Sequence, residues 1–393
     1  MKMEITVFDN EIQPAIDRAY ASGGGRVSLA PGVHACATIY LRSNVELHLE
    51  EGSVISGSTN PDDYDDFSPK GLLASPEDSK KCIIACENSE NVSVTGHGII
   101  NGNGLAFFDT KLAPGAHMFQ KPSWPRPRIM QLYRCRNVLI EGVTMLDAPG
   151  WTFWMSNCQD VMVRNVKIHG DQRMINNDGI DVDSCQNVTI QDTDFRTGDD
   201  CIAVRAIRFD KSKPSVCSNL VVHDCCLDSA CSGIRIGCPS DDTIRDCHFS
   251  RLSIKGHGHG IRCEAPYHYL RMGCKGYLYT DNLTFEDIDI ECGNSPIKMF
   301  VSPSIELRRF GGFAFRHVRF NACLPVTLLG TASTNLVDVE LEDVEGIVKG
   351  KSPLCATFTR NLKLSNFSVT SVTGEKDDGI IPVERGKSWE TKF

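Results

Sequence analysis

The chain has 393 residues, 41% hydrophobic and 23% charged, with a formal net charge of −9. That balance is ordinary for a soluble globular protein. The acidic surplus argues against nucleic acid or an anionic membrane surface as partner, since both select clustered Lys and Arg. The 18 cysteines sit in a chain far too long to be a disulfide-stapled mini-domain, and no apolar run approaches the ~18 residues of a membrane span.

The first stretch, "MKMEITVFDNEIQPAIDRAY", lacks an apolar signal core and a cleavage site. The expectation is therefore a cytoplasmic protein with reduced thiols. "EIQPAIDRAYASGGGRVSLAPGVH" has apolar spacing for a short helix over Ile12–Ala21, then a turn and a strand. Gly23–Gly25 lack the following Lys-Ser/Thr of a phosphate loop, so they read as a turn.

Beyond it one phrase recurs: a polar residue, usually Asn, then alternating apolar residues. It is "ENVSVTG" at Asn91, "RNVLIEGVTM" at Asn137, "QDVMVRNVKI" at Asp160 and "QNVTIQDTDF" at Asn187. It returns as "SNLVVHDCCL" at Asn219, "DNLTFEDIDI" at Asn282, "TNLVDVELED" at Asn335 and "RNLKLSNFSV" at Asn361. Several intervals are 23 to 32 residues; 91 to 137 and 219 to 282 leave room for a degenerate copy each. Period-2 apolar runs closed by Gly or Asp read as short strands and turns. One such unit cannot bury its own apolar face, whereas stacked copies can. The expected fold is all-β: a single right-handed parallel β-helix over 1–393, its open end covered by the Ile12–Ala21 helix. The cap and first coils fall at about 1–50, the candidate catalytic coils at 135–290 and the C-terminal coils at 291–393. Cys135, Cys158, Cys185 and Cys217 precede four of the repeat residues by two, so equal register stacks them as small inward side chains. Residues 104–128, 207–216 and 265–277 are longer than coil turns require and are expected to wall a groove.

Chemistry concentrates in "NNDGIDVDSCQNVTIQDTDFRTGDDCIAVR", Asn176 to Arg205. Asp178 and Asp199 are 21 residues apart, close to one coil, so they are expected side by side. Asp200 joins them where Gly198 permits a turn. Clustered carboxylates repel, which raises at least one pKa. That supplies an acid and a base at neutral pH, as an inverting glycosidase needs.

"NNDGID" followed by "GDDCIAVR" resembles the signature of glycoside hydrolase family 28, the polygalacturonase group, and the opening "AIDRAYASGGGRVSLAPGVH…LRSNVELHLEEGSVISGS" resembles the start of bacterial members. The resemblance implies a right-handed parallel β-helix and metal-free inverting hydrolysis. It also implies Asp199 as general acid, with Asp178 and Asp200 holding and deprotonating the water. Two motifs depart. Where the family has Gly-His-Gly this chain reads "ACSGIRIG", with Ser232 in the histidine's place. Where the family has Arg-Ile-Lys it reads "HGIRCEA", keeping Arg262 but putting Glu264 for the Lys. Glu264 is expected to repel a uronate and make polygalacturonate a poor substrate, with Arg235 as a compensating cation.

The remaining candidates for substrate contact are Asn176, His257, His259, Trp154 and Tyr267. Either histidine of "KGHGHGIR" is expected to stand in for the missing one, Trp154 or Trp151 to stack a sugar, and Tyr267, His268, Tyr269 or Arg271 to touch ligand. The function expected is an inverting, exo-acting glycosidase on pectin-derived or related oligosaccharides, without metal or cofactor. The rivals are an exo-polygalacturonase proper, a calcium-dependent pectate-type lyase and a non-catalytic sugar-binding β-helix.

Overall fold

The computed structural model describes residues 3–68, 80–122, 125–208, 213–266, 278–303, 305–349 and 352–372. Its described strands form one 11-stranded and one 19-stranded parallel stack, wound as a right-handed parallel β-helix. Successive coils align residue on residue, so inward positions become columns. One runs Val94, Ile140, Val163, Ile190, Val222, Phe249, Phe285, Phe315. The three Phe rings stack with centroids 4.8 Å apart, the spacing of neighbouring strands. Truncating such a residue, Ile190→Ala for instance, costs about 2–5 kcal/mol through lost burial and an unfilled void.

The repeat residue is the bend of each coil. Asn91, Asn137, Asp160, Asn187, Asn219, Asn282 and Asn361 all take φ between 53° and 57°, a left-handed conformation that Asn and Asp tolerate best among residues with a side chain. Their amides also ladder between coils: Asn137 donates to Asn91 at 2.7 Å and Asn219 to Asn187 at 3.0 Å. Two repeat expectations change. The interval 91–137 holds no second copy, because strand Glu90–Gly96 pairs directly with Arg136–Glu141; the extra length is the loop over 104–128. In the C-terminal copy the bend falls at Asp338 (φ 53°), three residues after Asn335, because the strand's inward register starts later. The interval 219–282 does hold a copy, bent at Asp246 (φ 54°).

Helix α1 spans Ile12–Ala21 and buries Ile12, Ala15, Ile16 and Ala19 against the core end. Gly23 and Gly24 turn the chain at φ 89° and 117°. The cysteine column forms with Cys135 N–H donating to Cys158 Sγ at 3.4 Å and Cys158 N–H to Cys185 Sγ at 3.3 Å. All described cysteines are free thiols. No helix among the described residues is long and apolar enough to cross a membrane.

Candidate active site

Six strands of the 11-stranded stack carry the site: β1 (Phe153–Ser156), β2 (Ile180–Asp183), β3 (Ile202–Arg205), β4 (Ser232–Ile236), β5 (His259–Ala265) and β6 (Ile297–Val301). Phe153, Ile180, Ile202, Ile234, Ile261 and Ile297 are aligned across them. Two residues before each lies one longitudinal row: Trp151, Asp178, Asp200, Ser232, His259 and Ser295. One residue after Ile180 and its partners lies a second, outward row: Asp181, Ala203, Arg235, Arg262 and Lys298. Asp178 therefore aligns with Asp200, and the expected pairing of Asp178 with Asp199 shifts by one. The coil between them is 22 residues long by register.

Glycine makes both carboxylate turns. A Cβ on Gly179 would lie 2.3 Å from Cys201 O, and one on Gly198 would lie 2.2 Å from Met174 O. Gly198 is thus needed for close approach. Its N–H donates to buried Asn177 Oδ1 at 2.6 Å, locking one acidic phrase to the other across the coil.

Asp178 and Asp200 are buried, while Asp199 is half-buried. Asp199 is pushed up to about 6 by burial and by Asp200, against Arg235 and the Cys231 thiol. Asp178 is pushed well above the carboxylate range by burial, then by Asp199, Asp181 and Asp200, with Arg205 opposing. Arg205 approaches Asp178 at 3.7 Å and is hydrogen-bonded to Asp181. Arg235 donates to Asp200 at 3.2 Å and to Glu264 at 2.5 Å, and Arg262 donates to Glu264 at 2.7 Å. Asn176 reaches Asp199 at 3.4 Å, and its own Oδ1 accepts from Arg126 at 2.9 Å. The arrangement offers a half-buried carboxyl raised to about 6 beside two buried acidic side chains, of which Asp178 is also pushed up.

Several expectations are corrected. Trp154 is fully buried, packed edge-on to Trp151 at 6.1 Å under the Arg128 guanidinium. It is core, and cannot stack a sugar. Ser232 is also fully buried. Glu264 is buried between two arginines and does not face substrate as a free charge. The described part of 207–216 walls no groove: Ile207 packs on the two tryptophans and Arg208 pairs with Asp242 at 2.5 Å. Tyr267, His268, Tyr269 and Arg271 lie outside the described residues.

The histidines separate. His259, aligned with Ser232, is buried with no partner for Nδ1. It is pushed down to about 3 by burial, Lys298 and Arg262, so it is neutral at physiological pH. His257 is exposed and lines a cavity of about 1090 Å³. Leu105, His117 and Met118 of the 104–128 loop form another wall of that cavity, with Gln172 and Arg173 ahead of Asn176 on the same turn. Lys298 escaped the sequence reading. It is half-buried, follows Arg262 in the outward row, and is lowered by burial and Arg262. Its signal was the alternation "PIKMFV", which repeats "GIRCEA" one coil later.

Residues 72–210 match the family model described as Glycosyl hydrolases family 28. That segment contains all three carboxylates. Over that segment the chain is similar to glycosyl hydrolases of family 28. It is 28% identical over 214 residues to a probable polygalacturonase of Arabidopsis thaliana, covering 53% of this chain and 40% of that protein. It is 22% identical over 303 residues to a probable exopolygalacturonase B of Aspergillus niger, covering 72% and 62%. The chain thus spans less than two thirds of the curated relatives it matches. A Thermotoga maritima exopolygalacturonase superposes with a TM-score of 0.75 at 19% identity, over 94% of this chain and 92% of that one, which establishes the shared fold.

Proposed function

We propose that the protein is an inverting, exo-acting glycosidase that hydrolyses short uronate-containing oligosaccharides of the pectin type. The observation that carries this reading is the Asp178–Asp199–Asp200 cluster set one coil before Arg235, with Arg262 and Lys298 following in the same outward row.

Asp199, the half-buried and hence accessible member of the cluster, raised to about 6, protonates the glycosidic oxygen as the bond to the anomeric carbon breaks. Asp178 and Asp200, aligned on successive coils, hold a water that attacks the anomeric carbon from the opposite face. Asp200, which pairs with Arg235 at 3.2 Å, takes the water's proton. Asp178, pushed up by burial and its acidic neighbours, positions the water by hydrogen bonding. Asp199 and Asp200 have side-chain oxygens within 4.8 Å of each other. That is closer than the ~6.5–9.5 Å common for inverting pairs, so Asp178 is essential to this assignment and stereochemistry is its sharpest test.

With Glu264 paired to Arg235 and Arg262, Lys298 is the cation of the row placed to receive a sugar carboxylate, with the partly exposed Arg262 beside it. The expected rejection of polygalacturonate is therefore withdrawn in favour of a uronate subsite. Exo action is inferred from Leu105, His117 and Met118, which wall one side of a cavity whose other lining includes Gln172, Arg173 and Ala230, close in sequence to the carboxylate turns. The abundance of free thiols, 17 among the described residues, favours a reducing compartment.

The experiment is a time course on a labelled galacturonate oligomer of six or more sugars, read by proton NMR and chromatography. Inverted product and stepwise shortening are expected. Retention of configuration rejects the carboxylate roles, and early mid-length fragments reject exo action.

A further inference from the structure

Cys231 has no place in the hydrolytic scheme, yet its thiol shares a turn row with the carboxylates. Its Sγ and one oxygen each of Asp199 and Asp200 all lie within 4.8 Å of one another. The three sit on adjacent coil turns, Asp199–Asp200 just before β3 and Cys231 just before β4. A second observation points to a ligand there. Asp200 is fully buried, and its Oδ1 has no hydrogen-bond partner, although a buried carboxylate oxygen without a partner costs folding energy. Asp199 and Cys231 are both half-buried, which leaves a way in from the groove.

We propose that Asp199, Asp200 and Cys231 form a binding site for a thiophilic divalent cation of the zinc or cadmium class, and that the bound cation inhibits hydrolysis. The donor set selects the ion. One thiolate and two carboxylates suit a borderline-soft metal and disfavour calcium and magnesium, which take oxygen only. Tetrahedral zinc holds S and O donors roughly 3.5 Å apart, given bond lengths of ~2.3 and ~2.0–2.2 Å. The donors, all within 4.8 Å of one another, would close to that spacing by side-chain rotation on the two turns. Binding displaces the thiol proton to solvent as the S–metal bond forms. Arg235, 3.2 Å from Asp200 Oδ2, contacts the other oxygen and leaves Oδ1 to the metal. Its positive charge weakens the site, as befits a reversible inhibitor and not a permanent structural ion.

Binding stands on geometry alone; inhibition rests on the catalytic reading of Asp199 and Asp200. The two are tested separately. Chelator-treated, phosphine-reduced full-length protein is titrated with cadmium chloride, and the ultraviolet sulfur-to-cadmium charge-transfer band is recorded for wild type, Cys231→Ser and Asp199→Asn. Hydrolysis is then assayed with zinc chloride, each protein normalised to its own rate in chelator.

Wild type is expected to show a charge-transfer component that Cys231→Ser lacks. In Asp199→Asn that component should require at least about tenfold more cadmium, since even outer-shell changes weaken metal sites by 10–100-fold. Zinc should inhibit wild type with at least about tenfold greater potency than Cys231→Ser. Identical cadmium spectra for wild type and Cys231→Ser overturn the site. Unchanged cadmium affinity in Asp199→Asn overturns its carboxylate ligation. A Cys231-dependent band without zinc inhibition upholds the site and instead overturns the catalytic roles of the carboxylates. If Cys231→Ser is inactive, the cadmium titration alone decides.

Discussion

Glu264 is the residue on which motif and structure give opposite expectations, so its reversal is the most informative perturbation. By motif, Glu264→Lys restores the family's cation and should improve binding of a uronate. By structure, Glu264 is buried, 2.5 Å from an Arg235 nitrogen and 2.7 Å from an Arg262 nitrogen. Removing one partner from a buried ion pair costs about 3–5 kcal/mol, because the other charge is left uncompensated. Lysine does more than remove it. Two unit charges about 4 Å apart interact by ~4 kcal/mol at an effective dielectric of 20, and the new cation would face two arginines. Arg262 is partly exposed and can swing to solvent, which discounts its share. A net loss of at least about 3–5 kcal/mol remains, a large part of a domain's usual 5–15. Urea unfolding of wild type, Glu264→Gln and Glu264→Lys, with galacturonate oligomer binding measured on whatever folds, checks this. Glu264→Gln, which keeps hydrogen bonding, should lose less than Glu264→Lys. A Glu264→Lys protein with wild-type stability and tighter galacturonate binding would refute the reasoning, since it would place Glu264 in the groove as a free charge.

Asp199→Asn should lower the hydrolysis rate by at least roughly 10²–10⁴-fold, the usual worth of a general acid, while oligomer binding measured calorimetrically survives; turnover within threefold of wild type would reject the role. Wild-type kcat should fall as pH rises through about 6, where Asp199 loses its proton; an alkaline limb well above that assigns the acid elsewhere. The same raised pKa predicts a stability effect. The unfolded Asp ionises near ~3.9, so between there and about 6 rising pH favours the unfolded state, and the cost persists above. Asp199→Asn avoids it and should be more stable than wild type at pH 7 with no difference below pH ~4; equal stability at both contradicts the shift. Lys298→Met should raise KM for galacturonate oligomers with little change in kcat, as loss of uniform binding does; a fall in kcat with unchanged KM would remove Lys298 from the carboxylate subsite.

The solenoid was legible because its signal is repeated. Each Asn or Asp at the bend is a weak cue, but seven of the eight named positions take the same left-handed conformation, and the cysteine spacing correctly placed a thiol column. Helix α1 matched to the residue because Ile12, Ala15, Ile16 and Ala19 form one apolar face. Less legible was anything set by a one-residue offset. Asp178 pairs with Asp200 because the coil length is 22, and counting from the motif gave 21. Trp154 illustrates a second limit. Strand alternation places it outward, but the outward face there is itself covered by Arg128 and the segment at Ile207. Sequence shows which way a side chain leaves its strand and is silent about what lies over it.

Lys298 shows why motif comparison misjudged the site's charge. In a globular fold, a cation two residues along one strand has few substitutes. In a parallel solenoid, the same patch of groove is reachable along a strand or across to the next coil, because aligned residues on adjacent coils are ~4.8 Å apart and i, i+2 neighbours on one strand are roughly 6.7 Å apart. Moving a charge from i+2 to position i of the next coil therefore shifts its Cα by roughly 8 Å, a distance that a long lysine or arginine side chain can largely span. Here the row passes from Arg235 to Arg262 to Lys298. Glu264, on β5, ties the first two together at 2.5 and 2.7 Å. The formal sum over Arg235, Arg262, Lys298, Glu264 and Asp200 is +1, three cations against two carboxylates. Along this outward row the cations still outnumber the carboxylates they pair with, even though the motif's lysine has become a glutamate. Charge in such a groove is a property of the row of coils, and a family signature read along one strand samples only part of it.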